Sequence, residues 1–234
     1  MACGGAGGVT EARVALYWAP EPDDPLHALG STWLGRDAES GAALPQPALP
    51  GLGIAELTAD PRRYGLHATL KPPFRLALPY AEALAATRAL TARLAPFELP
   101  PLAVRDLEGF LALREAAPCP ALQSLADACV EALDPCRAPP EAPELARRRK
   151  AGLSPAQAAL LERWGYPYVF GEWRFHVTLT RRLRPEEKAA VLPAVTAYLG
   201  EAAARPRRVA SICLFTQATP GAPFLIADRL RFQG

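Results

Sequence analysis

The tetrads His67-Ala68-Thr69-Leu70 and His176-Val177-Thr178-Leu179 are the most specific signal in this chain, because they claim two of its three histidines. Side chains alternate between faces along a strand. His67 and Thr69 therefore share one face of a strand, as do His176 and Thr178, and the apolar partners Ala68, Leu70, Val177 and Leu179 turn towards the core. Two such strands side by side present two imidazoles and two hydroxyls to one groove, an acid/base pair with neutral hydrogen-bond donors between them. Extending the alternation adds Lys71 to the first face and Arg174 to the second. Lys71 equally lies beyond the strand if Pro72 turns the chain. Cations and hydroxyls around two histidines suit an oxyanion such as phosphate, whose charge they neutralise while the imidazoles move protons near neutral pH.

The flanking sequence repeats as well. Gly65 to Leu70 reads as a strand ending at Pro72-Pro73, Tyr80 to Leu94 as a helix, and Leu99 to Arg105 and Phe110 to Leu113 as two short strands. From Arg174 the order returns: a strand to Thr180, a helix over Pro185 to Leu199, then strands over Val209 to Phe215 and Phe224 to Phe232. The two strand-helix-strand-strand units cover about 60–115 and 170–232. Before them, residues 1–12 read as a flexible head and Arg13 to Trp18 as a strand stopped by Pro20, Pro22 and Pro25. Gly30 to Pro50 reads mainly as loop. Between the units lie a helix around Leu122 to Leu133, a Pro-rich patch at Pro135 to Pro143, the run Arg147 to Lys150 read as a solvated face, and a helix from Ser154 to Trp164.

Composition narrows the class. The chain has 234 residues, half of them hydrophobic, with 26 Lys+Arg against 24 Asp+Glu and a net charge of +2. That describes a soluble globular protein and excludes an extended nucleic-acid coat. Five cysteines, at 3, 119, 129, 136 and 213, form no Cys-x-x-Cys and have no nearby histidine, so neither a disulfide framework nor a zinc knuckle is expected. They read as inert small hydrophobes, and His27 as a surface or packing residue. No signal peptide and no membrane span are expected, which makes a reducing cytoplasm the expected home and leaves the membrane out as a partner. No Gly-rich phosphate loop or dinucleotide fingerprint occurs, so no cofactor is expected. Glu172 is the only acid within four residues of either tetrad histidine, which favours metal-free chemistry.

The doubled His-x-Thr-hydrophobic motif resembles the 2H phosphoesterase superfamily, which includes RNA 2′,3′-cyclic phosphodiesterases and bacterial RNA 2′-5′ ligase-like proteins. The contexts Asp60-Pro-Arg-Arg-Tyr-Gly-Leu-His-Ala-Thr-Leu-Lys-Pro-Pro-Phe-Arg-Leu and Tyr166-Pro-Tyr-Val-Phe-Gly-Glu-Trp-Arg-Phe-His-Val-Thr-Leu-Thr look like one branch of it, phosphonate-metabolism proteins encoded beside carbon–phosphorus lyase genes. The likeness runs from about Arg13 to Phe232. It implies an α+β, two-lobed fold over residues 13–234, with two antiparallel sheets, flanking helices, a central cleft and pseudo-twofold internal duplication. It also implies that His67 and His176 exchange acid and base roles while Thr69 and Thr178 hold the phosphate. The expected activity is a metal-independent phosphoric diester hydrolase acting on a cyclic phosphate or related phosphodiester of a small molecule, linked to phosphonate metabolism. The alternatives are an RNA-end cyclic phosphodiesterase or ligase-like enzyme and a non-catalytic phosphate- or nucleotide-binding protein. The segment Pro135 to Lys150 departs from compact members of the superfamily; placed over the cleft, it makes an RNA substrate the less expected one.

Overall fold

A computed structural model describes residues 12–150 and 152–234. Cys3 and the head expected at 1–12, Ala12 apart, lie outside the described residues. In chain order the elements are β1 (Arg13–Trp18), α1 (Pro25–Leu34), the short α2 (Ile54–Leu57) and α3 (Ala59–Arg62), β2 (Ala68–Arg75), α4 (Tyr80–Thr91), β3 (Phe97–Leu99), β4 (Leu102–Leu107), β5 (Phe110–Glu115), α5 (Pro120–Leu133), α6 (Ala142–Arg149), α7 (Pro155–Trp164), β6 (Val177–Thr178), α8 (Pro185–Ala204), β7 (Arg207–Val209), β8 (Ser211–Gln217) and β9 (Leu225–Arg231). The fold is α+β with two unequal antiparallel sheets. Seven strands run in the order β4-β5-β6-β2-β1-β8-β9, and β3 pairs with β7 in a separate ribbon.

The two tetrads form the seam of the large sheet. β2 and β6 meet through the single register pair Ala68 and Val177, so the sheet is narrowest there. On one side of the seam β6 joins the hairpin β4-β5; on the other, β2 joins β1 and the hairpin β8-β9. β6 thus pairs directly with the hairpin of the first sequence unit, whereas β2 reaches the hairpin of the second through β1.

Period-two alternation separates the two faces of this sheet. Val14, Leu16, Trp18, Ile212, Leu214, Leu113 and Val177 enter a large core beneath the helices. α5 contributes Leu122, Leu125, Ala126, Cys129 and Leu133 to it, a one-sided stripe at helical spacing. Ala15, Tyr17, Ala19, Cys213, Phe215 and Phe224 face the other way into a smaller cluster, joined by Tyr64. Burying a large apolar side chain stabilises by about 1.5–3 kcal/mol, so the helix-covered face dominates stability and leaves the second face free to carry polar groups.

Several local expectations change. The Pro-rich stretch after β1 continues into helix α1: Asp24 caps it by accepting from the Leu26 N–H at 2.8 Å, Pro25 occupies the first turn, and Gly35 ends it at φ +80°. Gly30 sits inside that helix because a Cβ there would stand 2.4 Å from Leu66. β2 does not stop at Pro72-Pro73 but runs to Arg75, because the register against β1 gains one residue between Leu16/Lys71 and Val14/Phe74. That bulge takes up the two prolines without a ladder N–H. The strand expected at Arg174 to Thr180 shortens to Val177–Thr178. It is held by backbone anchors in place of a long ladder: the Trp33 indole N–H donates to the Leu179 carbonyl at 2.9 Å, and the Leu111 N–H donates to the Thr180 hydroxyl oxygen at 3.0 Å. The Pro-rich and basic segment folds in part as α6, which buries none of its residues.

Candidate active site

The antiparallel pairing of Ala68 with Val177 fixes the arrangement of the tetrads. Continuing that register one residue each way sets His67 across from Thr178 and Thr69 across from His176. All four are half-buried on the face opposite the main core, between fully buried Phe175, Ala68, Val177 and Leu179. Directly facing side chains on neighbouring strands are about 4.5–5.5 Å apart at Cβ, and diagonal ones about 7–8 Å. The histidines occupy one diagonal of this square and the threonines the other.

The two imidazoles are oriented in the same way. His67 Nδ1 lies 2.9 Å from the Gly65 carbonyl, and His176 Nδ1 lies 2.8 Å from the Arg174 carbonyl, in each case two residues back. A carbonyl only accepts, so each Nδ1 carries the proton and each neutral ring keeps its Nε2 lone pair. The Thr69 hydroxyl stands 3.4 Å from His67 Nε2. Gly65 reaches its position at φ +79°, with Ala38 so close that a Cβ would stand 2.5 Å away. This glycine delivers the carbonyl that aims His67.

Burial pushes the His67 imidazole down to about 4, opposed by the Gly65 carbonyl and reinforced by the positive charge of His176 and Arg36. Its ring stacks on Tyr17, with centroids 3.9 Å apart. His176 is also lowered, chiefly by burial, with the Arg174 carbonyl opposing; Arg114 lowers it further and Glu115 raises it. Both histidines are therefore held neutral at neutral pH.

The square lies in a cleft made of two adjoining depressions that share Thr69 and Tyr166. One, of about 390 Å³, holds His67 and Thr178 with Tyr17, Tyr64, Arg13, Arg147 and Arg148. The other, of about 440 Å³, holds His176 with Phe110, Tyr168, Trp173, Arg174 and Arg182. The structure thus brings His67, Thr69, His176 and Thr178 together and sets Arg174 at the rim, its guanidinium 3.4 Å from Glu108. Among the described residues, no group of three or more His, Cys, Asp or Glu side chains is placed to hold a metal ion.

Lys71 is the exception, and its expected place on the histidine face needs correction. Between Tyr17/Thr69 and Leu16/Lys71 the register gains a residue in β2, so Lys71 faces the same way as Leu16, into the main core. There its ammonium donates to the Val130 carbonyl at 2.9 Å and lies 3.5 Å from Asp134, which also accepts from Arg137 at 2.8 Å. Burial pushes Lys71 down to about 8 against the pull of Asp134. A strict alternation carried through the bulge between Thr69 and Lys71 inverts the answer. The residues that sequence reasoning missed are Tyr17, Tyr64 and Tyr166 along the cleft, Arg13, and the Arg147/Arg148 pair. The basic run was visible as charge, but the fold that carries it to the cleft was not.

Residues 69–225 match the model of a family described as "Protein of unknown function (DUF1045)". The chain belongs to this DUF1045 family. A curated relative from Janthinobacterium sp. (strain Marseille), named ribose 1,5-bisphosphate phosphokinase PhnN, is 41% identical over 231 residues, which is 95% of this chain and 51% of the relative. A second of the same name, from Laribacter hongkongensis (strain HLHK9), is 40% identical over 214 residues, 91% of this chain and 50% of the relative. The DUF1045 chain therefore spans about half the length of the curated relatives it matches. Among solved structures, E. coli LigT complexed with phosphate aligns over 95% of this chain and 98% of its own, at 13% identity and a TM-score of 0.44. A crystal structure described as a phosphoesterase aligns over 95% and 98% at 12% identity and a TM-score of 0.42. Among the described residues no helix is long and apolar enough to cross a membrane.

Proposed function

We propose that this DUF1045 protein hydrolyses a phosphodiester, specifically a cyclic phosphate on a ribose, by two-histidine acid/base catalysis without a metal. The observation that carries the reading is the shared orientation of the tetrads. Both Nδ1 atoms are tied to a carbonyl two residues back, and both Nε2 atoms are left for proton transfer beside two threonine hydroxyls. A purely binding groove has no need of two matched proton-transfer groups. The names of the curated relatives point to ribose phosphates as the chemistry with which this chain is associated, and the resemblance of the tetrad contexts points to phosphonate metabolism.

In the proposed step, one neutral imidazole takes a proton from water through Nε2 as the water oxygen bonds to phosphorus. The bond from phosphorus to one ribose oxygen breaks, and the other imidazole, neutral in the free protein and protonated at Nε2 from solvent once the anionic phosphate lies beside it, gives that proton to the departing oxygen. The ring opens to a phosphomonoester and a free hydroxyl. Thr69, Thr178 and the rim cation Arg174 stabilise the phosphoryl oxygens as charge develops there. The pair then holds the reverse proton inventory and resets by exchange with solvent.

Each proton transfer is worth about 10²–10⁴ in rate, so His67→Ala and His176→Ala should each lower kcat by that factor on cyclic ribose phosphates while leaving the far-UV circular dichroism unchanged. The assay includes a chelator. Full activity in either variant, or turnover that returns only with added divalent metal, overturns the assignment.

A further inference from the structure

The two halves of the cleft are charged differently. Beside His176, Arg174 and Arg182 share that half with Glu108 and Glu172; Arg174 pairs with the Glu108 carboxylate, and Arg182 donates to the Glu108 backbone carbonyl. That half is balanced, and its other walls are the aromatic rings of Phe110, Tyr168 and Trp173. Beside His67, three arginines from two distant parts of the chain, Arg13 of β1 and Arg147 and Arg148 of α6, face a single acid, Asp60. Arg13 uses its Nε on the neutral Gln217 side chain at 2.8 Å, and among the described residues its terminal nitrogens make no hydrogen bond. Arg148 is paired with Glu144 at 2.7 Å and laid over the Tyr166 ring at 4.6 Å, which fixes the end of α6 against the cleft wall. Arg147 makes no hydrogen bond or ion pair among the described residues.

Packing does not explain why α6 is there. The helix buries no residue, so the core does not hold it in place or require it. What it adds is positive charge to one half of a cleft whose centre already has the groups for the scissile phosphate. Guanidinium groups suit phosphate because their planar donors make paired, charge-assisted bonds to its oxygens.

We propose that Arg147, with Arg148 and Arg13, forms a second anion-binding subsite for a terminal phosphomonoester on the same molecule that presents its cyclic phosphate to the histidines. The substrate class is therefore a sugar that carries both a cyclic phosphodiester and a phosphomonoester, oriented with the phosphomonoester on the His67 side. This rests on the phosphodiesterase reading above.

The test compares adenosine 2′,3′-cyclic phosphate with the same molecule bearing a 5′-phosphate, in the wild type and in an Arg147→Ala/Arg148→Ala variant. That variant should fold, because α6 contributes nothing to the core. The wild type should show kcat/KM at least about 10-fold higher for the 5′-phosphorylated substrate, as expected of a hydrogen-bonded contact between charged groups. In the variant the ratio of the two kcat/KM values should fall towards one. Equal kcat/KM values in the wild type, or a ratio unchanged in the variant, overturn the subsite. If the wild type turns over neither compound, the phosphodiesterase reading fails by itself, and the subsite is judged by calorimetric titration with ribose 5-phosphate. Binding to the wild type and to His67→Ala that is lost in the arginine variant supports the subsite; no binding to the wild type overturns it.

Discussion

Acidification from about pH 7.5 to about pH 5 should destabilise the wild-type chain by about 2 kcal/mol more than a His67→Gln variant. The unfolded histidine binds its proton with a pKa of about 6.5, whereas in the folded chain burial against Tyr17 pushes His67 down to about 4. Above 6.5 neither state binds the proton, and His67 contributes no pH dependence. As the pH falls through 6.5 the unfolded chain takes up the proton first, so stability is lost. The loss levels off only below about 4, where the folded chain binds the proton too. At pH 5 the unfolded state is about 97% protonated at this site and the folded state about 10%, a difference worth about 2 kcal/mol. Equilibrium urea unfolding at four or five pH values in that window measures it. His176 and the carboxylates are present in both proteins and drop out of the difference. The imidazole resonance of His67 in the folded protein should titrate with a midpoint near 4. Parallel pH slopes in the two proteins, or a His67 midpoint at or above 6.5, would refute the argument that burial holds this ring neutral with its Nε2 lone pair available.

Two further outcomes separate the site from its supports. Lys71→Met removes an ammonium bonded to the Val130 carbonyl and Asp134, so it should lower stability by about 1.5–3 kcal/mol, the range for a hydrogen bond to a charged group. Its KM for a cyclic ribose phosphate, measured well below the unfolding midpoint, should not change; a large rise in KM would return Lys71 to the groove. Gly65→Ala places a Cβ 2.5 Å from Ala38 at φ +79° and should cost about 1–3 kcal/mol of stability. Because the Gly65 carbonyl aims His67, kcat should fall as well, whereas Gly221→Ala, at φ +88° but in open space, should affect stability alone.

Much of the helix and strand content is legible because it depends on local signals. β1 matches its expected limits, α7 carries the Ser154 cap and Pro155 start that its sequence announces, and the α5 stripe follows from spacing alone. Misreadings cluster at proline. Pro25 opens a helix, because Asp24 supplies the missing cap. Pro72 and Pro73 sit inside a strand, because a bulge absorbs them. In both cases a neighbouring residue or strand decides what the proline does, and a window of sequence does not contain that partner.

The sequence by itself determined the two tetrads, the face each histidine shares with its threonine, and a repeated order around them to which the structure adds one short strand per unit, β3 and β7, since period-two alternation and turn chemistry are properties of a few consecutive residues. Only the tertiary structure decided which residues meet. The Ala68–Val177 pair sets His67 opposite Thr178, one bulge sends Lys71 to the core while Thr69 stays in the cleft, and a helix without a buried residue carries Arg147 and Arg148 to the side of His67. Register, bulge and docking are relations between distant segments, fixed by hydrogen-bond ladders and core packing.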